Sequence, residues 1–114
     1  MDINAEVRDT LLKTGNTVVF QYPKSFYNLP VISFFLVKEY GSESYDNTEA
    51  FRDATVAVDI WAKTPDECVE ISQHTVTVMA DDGWSELFRM DVPRGSSDVY
   101  HRTVRFVKSF SVNS

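Results

Sequence analysis

Few residues in this sequence can perform nucleophilic or acid–base chemistry. Cys68 is the only cysteine, and His74 and His101 are the only histidines. Cys68 falls in the first turn of a predicted helix, where the helix dipole lowers a thiol pKa and favours a nucleophilic thiolate. The same residue lies on the apolar stripe of that helix, and nothing in the sequence places a histidine beside it. We therefore favour packing in the core as the role of Cys68.

Metal binding receives little support from the spacing of possible ligands. A structural zinc site needs about four ligands, usually paired locally, and neither His74 nor His101 belongs to such a set. Asp81 and Asp82 before Gly83 resemble an acidic cation loop, but a calcium loop alternates its ligands over about twelve residues. A turn at the end of a helix is the favoured interpretation of these two acids. The sequence predicts no metal and no cofactor.

Two further acids, Asp59 and Glu67, have the residue type of a general acid or base. Asp59 lies on the strand face opposite Val58 and Ile60, and Glu67 has the position of a helix-capping residue. The four glycines are too scattered for a phosphate-binding loop, and the sequence has no GxSxG elbow. The sequence therefore predicts a protein that is not an enzyme.

The stretch VDIWAKTPDECVEI (58–71) contains the clearest structural signal, because its period changes from two to that of a helix. Thr64, Pro65 and Glu67 form a capping box with the favoured proline at the first helical position. We place a helix at 65–81, before Gly83. The β-branched run TVTV (75–78) leaves a strand open as an alternative there.

The remaining pattern predicts one more helix, at 3–13, and five strands. The first strand is 17–22, and the long strands 31–40 and 52–63 form an antiparallel hairpin. The centre of 31–40 is apolar on both faces, which predicts that both are covered. Residues 84–92 and 100–110 form a second hairpin. In 84–92 we expect Glu86, Phe88, Met90 and Val92 to share one face.

The expected fold class is α+β in a single domain, 1–114. A mostly antiparallel sheet of about five strands has helices packed on one face, in the order α-β-β-β-α-β-β, with a long protruding hairpin. A chain of this length can bury a real core.

The acidic balance excludes two classes of partner. Seventeen acidic residues against eleven basic ones give a formal net charge of −6. A nucleic-acid binder needs a basic surface that displaces phosphate counterions, and docking on anionic lipid needs one as well. The N-terminus has no apolar signal core, and no segment approaches the ~20 apolar residues that span a bilayer. We expect a soluble, cytoplasmic protein.

Charged and aromatic residues at two places are candidate contacts with a neighbouring subunit or with a channel lumen. The tip of the first hairpin carries acids and aromatic anchors: Glu43, Tyr45, Asp46, Glu49 and Phe51. The final strand carries the basic residues Arg102, Arg105 and Lys108, of which Arg102 and Lys108 share the apolar side and are expected to be exposed. A solvated loop and simple sheet-face charges remain the alternatives.

Four strings, taken in order, resemble the small tail-terminator, or tail-completion, proteins of long-tailed phages, also called tail-to-head joining proteins. VVFQYPKSFYNLPVISF resembles the opening strand and proline connector of that family, and VAVDIWAKTPDE resembles its strand-to-helix corner. MADDGW matches the helix end, and YHRTVRF resembles the closing strand. The match covers nearly the whole chain, and the motifs are those of a fold.

The resemblance implies a structural virion protein without catalytic residues or cofactor. Such a subunit assembles with itself into a ring, commonly a hexamer, at the head-proximal end of the tail tube. Its partners are the major tail tube protein and the head connector or neck proteins. DNA passes through the lumen without specific binding, and assembly takes place in the host cytoplasm.

A small regulatory or substrate-binding domain with a ferredoxin-like sheet is the alternative function, because similar orders of helices and strands serve many binding modules. A deep pocket with convergent polar groups would favour it.

Overall fold

The structure, a computed structural model, describes residues 2–43, 50–93 and 98–111. Within these ranges, residues 40–43, 50–51 and 111 are described by their backbone alone. Its helices and strands follow the predicted order α-β-β-β-α-β-β. They are α1 (Ile3–Leu12), β1 (Thr17–Phe20), β2 (Val31–Glu43), β3 (Ala50–Ala62), α2 (Pro65–Asp81), β4 (Ser85–Val92) and β5 (Tyr100–Ser111). Neither helix in these ranges is long and apolar enough to cross a membrane.

The strands of the described residues form one five-stranded mixed sheet in the order β1-β2-β3-β5-β4. Strands β2 and β3 pair antiparallel as the predicted long hairpin, and β4 and β5 pair antiparallel as the predicted second hairpin. Strand β1 instead runs parallel to β2. Parallel neighbours need a crossover connection, and the connector at 21–30 fills that role by returning the chain to the same end of the sheet.

Strand β1 is shorter than the predicted 17–22. Gln21 has a φ of 70°, in the left-handed region that non-glycine residues rarely adopt, so the chain leaves the strand after Phe20. The Gln21 backbone N–H donates a hydrogen bond of 2.7 Å to the Phe34 carbonyl oxygen. This bond holds the turn against β2 and starts the connector.

One face of the sheet, called here the helix face, packs against both helices. Along β3, Val58 and Ile60 are fully buried on this face, and Val104 and Phe106 of β5 lie beside them. Both helices contribute to the same cluster through apolar residues that include Val7, Leu11, Ile71 and Met79. The predicted placement of both helices on one face is confirmed.

Capping residues begin both helices. The Asp2 carboxylate accepts a hydrogen bond of 3.1 Å from the Ala5 backbone N–H at the start of α1. At the start of α2 the Thr64 hydroxyl accepts from the Glu67 N–H at 3.2 Å, and the Glu67 carboxylate accepts from the Lys63 N–H at 3.4 Å. The first bond confirms Thr64 as the N-cap, while Glu67 accepts from the residue before the cap and not from the Thr64 N–H of a standard capping box.

The β-branched run at 75–78 is helical. Thr75 is fully buried, and Val78 and Met79 also pack into the core from the same stripe of α2. Burial of this stripe outweighs the modest intrinsic preference of β-branched residues for strand, since most helix stability in proteins comes from tertiary packing.

We expect Thr64→Ala to lower the free energy of unfolding by about 1 kcal/mol, because the N–H of Glu67 loses its acceptor. Urea denaturation followed by circular dichroism measures this loss. Thr77→Ala is the matched control, since Thr77 lies exposed in the middle of the same helix, where alanine is at least as favourable. Equal losses in the two variants would contradict a capping role.

Strand β4 departs from strict alternation. A bulge lies between Glu86 and Phe88, and it places Glu86 opposite Phe106 and Phe88 opposite Arg105. Cross-strand partners share a face, so Glu86 lies on the side of the helix face while Phe88 lies on the other. The expectation that Glu86 shares a face with Phe88, Met90 and Val92 is wrong, because the extra residue of the bulge reverses the alternation.

Candidate assembly surface

Only part of the predicted contact region at the tip of the first hairpin lies within the described residues. Tyr45, Asp46 and Glu49 lie outside the described residues. Glu43 and Phe51 belong to the paired ends of β2 and β3, where the backbone register joins Glu43 with Ala50 and Phe51 with Ser42. Their side chains lie outside the description, so their contacts remain predictions.

The two arginines predicted as contacts on the final strand point to opposite faces of the sheet. Arg102 lies on the helix face, where its side chain is 18% exposed and its Nε lies 3.7 Å from an Asp91 carboxylate oxygen. Arg105 lies on the other face, because it is three positions from Arg102 along the same strand. The structure therefore does not bring them into one basic surface.

Lys108 completes the end of α2. Its Nζ donates a hydrogen bond of 2.5 Å to the Asp82 carbonyl oxygen and lies 3.6 Å from a Glu6 carboxylate oxygen. A cation at this position is favourable because the carboxyl end of a helix carries partial negative charge. Lys108 and Arg102 are mostly buried, so the expectation that they are exposed is wrong. Their aliphatic stems pack while their charges find local acceptors.

The face of the sheet away from the helices, called here the opposite face, carries Ala57, Asp59 and Trp61 of β3. The connector covers one end of it, where Tyr22 and Phe26 contact Trp61 with ring centroids 5.1 and 5.0 Å away. The expectation that both faces of the long strand are covered holds at this end alone. Further along β2, Val37 is 44% exposed.

A buried polar pair lies beside the connector on the opposite face. The His101 Nε2–H donates to an Asp59 carboxylate oxygen at 2.7 Å, and the imidazole stacks on Trp61 with centroids 3.7 Å apart. The Trp61 Nε1–H donates to the Ser33 hydroxyl at 2.9 Å. The sequence analysis missed the histidine–aspartate pair, because it depends on β3 pairing with β5 across 42 residues of chain.

This pair can orient an imidazole, which is one part of a general-base site. A second part is a nucleophile hydrogen-bonded to the imidazole, and among the described residues the Ser33 hydroxyl is bonded to the Trp61 Nε1–H and not to His101. Within the described ranges, no three His, Cys, Asp or Glu side chains are grouped so that they could hold a metal ion. The arrangement fits a hydrogen-bonded structural cluster.

Arg105 lies among apolar side chains on the opposite face, near the middle of β5. Its guanidinium carbon is 5.8 Å from the Phe35 ring centroid and 5.9 Å from that of Phe88. Phe88 and Met90 are 47% and 50% exposed. The Arg105 patch is defined here as Phe35, Phe88, Met90 and Arg105. Between this patch and the histidine–aspartate pair lies an open concavity of about 280 Å³.

Cys68 is buried in the core. Its Sγ lies 3.6 Å from the Ile60 carbonyl oxygen, to which the thiol donates. Burial, with a smaller contribution from the charge of Asp91 and against the opposing effect of Arg102, raises the pKa of the Cys68 thiol to about 11. A nucleophilic cysteine needs a lowered pKa and access to solvent, so the predicted packing role fits this environment.

Iodoacetamide at pH 8 should alkylate Cys68 in the folded protein at least about 100-fold more slowly than free cysteine. A thiol with a pKa of about 11 holds far less thiolate than one near its ordinary value, and burial restricts access further. Mass spectrometry of quenched samples gives the rate, and the urea-unfolded chain is the control that should react at the ordinary rate. Rapid alkylation of the folded protein would contradict this environment.

No family model matches this sequence, and no curated protein matches it either. Among solved structures, the chain is similar to one from the "Virion of native gene transfer agent (GTA) particle". The two share 14% sequence identity and a TM-score of 0.71, over 96% of this chain and 94% of the other. A likeness at this identity establishes a shared fold.

Proposed function

We propose that this protein is a structural component of a tailed phage virion or of a phage-like particle. The observation that carries the proposal is the fold shared with a gene transfer agent virion chain over nearly the full length of both chains. Since folds host many functions, the site must agree as well.

The described chemistry is consistent with a structural role. The histidine–aspartate pair is stacked on Trp61, and Cys68 holds a protonated, buried thiol. These groups lie in hydrogen-bonded or packed positions typical of a core. The exposed features are apolar and charged surfaces, which are typical of proteins that assemble.

The more specific proposal is that the protein is the tail terminator, a ring that ends growth of the tail tube and receives the head. The ordered motifs resemble that family, and a hexamer that contacts the major tail tube protein and the neck proteins follows from the resemblance. DNA passes through the lumen, and an acidic chain suits a channel that must not retain DNA.

A closed ring requires a heterologous interface, in which one surface of a subunit meets a different surface of the next. The acidic hairpin-tip residues Glu43, Asp46 and Glu49, with Tyr45 and Phe51, are proposed as one such surface. Arg105 is proposed as part of another, while Arg102 is a weaker candidate, because it points toward the helices and lies near Asp91.

A ferredoxin-like binding module gains no specific support. That module has the order β-α-β-β-α-β, whereas this chain begins with a helix and has three consecutive strands before α2. The concavity beside Asp59 and His101 is open to solvent, and Asp59 and His101 bond each other at its floor rather than facing a ligand. A small-molecule site instead places free polar groups inside a deep pocket.

The test is electron microscopy of particles from a phage in which the gene has been deleted. Without a terminator, tails should be abnormally long or variable in length, and heads should remain unjoined. Supplying the protein from a plasmid should restore both. Tails of normal length that join heads in the deletion strain would refute the terminator role.

A further inference from the structure

The guanidinium of Arg105 is held in an apolar setting without a complete set of acceptors. Its Nη1 atom is buried from solvent and makes no hydrogen bond within the described part of the chain. The flanking Phe35 and Phe88 rings offer cation–π attraction at their faces but no hydrogen-bond acceptor in the ring plane. A buried N–H donor without an acceptor is unfavourable, so the guanidinium is incompletely bonded within the subunit.

The acids that share the opposite face are already engaged. Asp59 accepts from His101 at 2.7 Å, and Asp53, toward the other end of β3, accepts from the Ser109 hydroxyl. Arg105 also differs from Arg89, whose guanidinium is bonded to Glu86 at 2.6 Å on the neighbouring strand. Among the described residues no acid lies within ion-pair distance of Arg105, whose side chain is half-buried, so its charge is available to a carboxylate from another molecule.

We propose that the Arg105 patch is a docking surface for a second copy of this chain, which contributes a carboxylate to the guanidinium. Charge complementarity favours this occupant. Seventeen acidic residues against eleven basic ones give each copy a surplus of carboxylates. Two copies with a net charge of −6 repel one another, and a cation at their contact offsets part of this repulsion. Arg105 supplies that cation, and arginine, aromatic residues and methionine are the types enriched in interface cores.

This contact is heterologous. A symmetric pairing of two Arg105 patches would bring two guanidinium groups together, and like charges repel strongly in a desolvated contact. The carboxylate must therefore come from a different surface of the second copy, which leaves each subunit with one donor and one acceptor surface. Such a contact builds a ring when the rotation closes. The inference rests on the proposed function, because it identifies a contact surface of the proposed ring.

The experiment measures self-association of the purified full chain by sedimentation equilibrium in about 0.1 M and about 1 M NaCl, where the Debye length falls from about 10 Å to about 3 Å. Arg105→Met retains a long aliphatic side chain and removes the charge. It should weaken association at least about tenfold at low salt and abolish most of the salt dependence. Lys63→Met is the matched control, because it removes an exposed cation at the strand-to-helix corner and should associate like the wild type.

Phe88→Ser provides a second variant that keeps Arg105. Phe88 is 47% exposed on an edge strand, so its loss should leave the fold intact, as circular dichroism checks, while association weakens. Wild-type self-association of Arg105→Met and Phe88→Ser overturns the inference. A wild-type chain that stays monomeric up to about 1 mM, the weak end of specific affinity, overturns it as well.

Different experimental results would refute the docking of a second copy and the terminator role. If Arg105→Met self-associates normally but no longer restores tails in the deletion strain, the patch binds another virion protein and the docking of a second copy is wrong. If wild-type copies associate through Arg105 while the deletion strain makes normal joined tails, the inference stands and the terminator role is wrong.

Discussion

Replacing Ile60 with alanine should lower the free energy of unfolding by about 2–5 kcal/mol. Ile60 is fully buried and lies on the helix face of β3, a strand with neighbours on both sides. Its side chain belongs to the core cluster shared by both helices, so truncation leaves a cavity that the surrounding elements can fill only in part. Urea denaturation followed by circular dichroism measures the loss.

Val69→Ala is the matched control for this substitution. Val69 is an aliphatic β-branched residue on α2, but its side chain is 37% exposed. Its truncation should change stability by no more than about 0.5 kcal/mol, as is usual for surface positions. If Ile60→Ala were as mild as Val69→Ala, the helix face would not be the core of the protein.

The face of Ile60 could be predicted because residues 55–61 alternate strictly. A period of two assigns Val56, Val58 and Ile60 to one face, and all three are buried beneath the helices. The start of α2 was equally predictable, since the capping residues Thr64 and Glu67 act within four positions of one another. Both features depend on local sequence, where side-chain type and spacing determine the geometry.

Features that depend on distant pairing could not be predicted in the same way. The parallel pairing of β1 with β2 follows from the path of the connector. The bulge beside Leu87 reverses the alternation of β4 without a glycine or proline to mark it. The contact between Asp59 and His101 needs the register of β3 with β5, which no local pattern contains.

The sequence alone is enough to predict that Arg102 and Arg105 point to opposite faces of the sheet. Both lie in one continuous strand three residues apart, and an odd separation places two side chains on different faces. Their shared charge makes both candidate contacts, whereas the strand period places them on different faces. The burial of the Arg105 Nη1 atom could not be predicted from the sequence, because its surroundings include Phe35 and Phe88 from two other strands.

Trp61→Ala should lower the free energy of unfolding by about 3–5 kcal/mol, a loss comparable to that of Ile60→Ala. The two residues are neighbours on β3 that point to opposite faces, so this result would establish a second packed layer beneath the connector. Trp61 contacts the rings of Tyr22, Phe26 and His101 and is 8% exposed. Its removal takes away the surface on which the connector rests.

Trp61→Phe separates ring packing from hydrogen bonding. Phenylalanine keeps an aromatic ring against His101 but has no N–H, so the fully buried Ser33 hydroxyl loses its donor. We expect a loss of about 1–3 kcal/mol, smaller than that of Trp61→Ala. Similar losses in the two variants would mean that the hydrogen bond dominates. A negligible loss in Trp61→Ala would mean that the connector does not depend on a packed layer on the opposite face and is held by contacts such as the Gln21–Phe34 backbone bond.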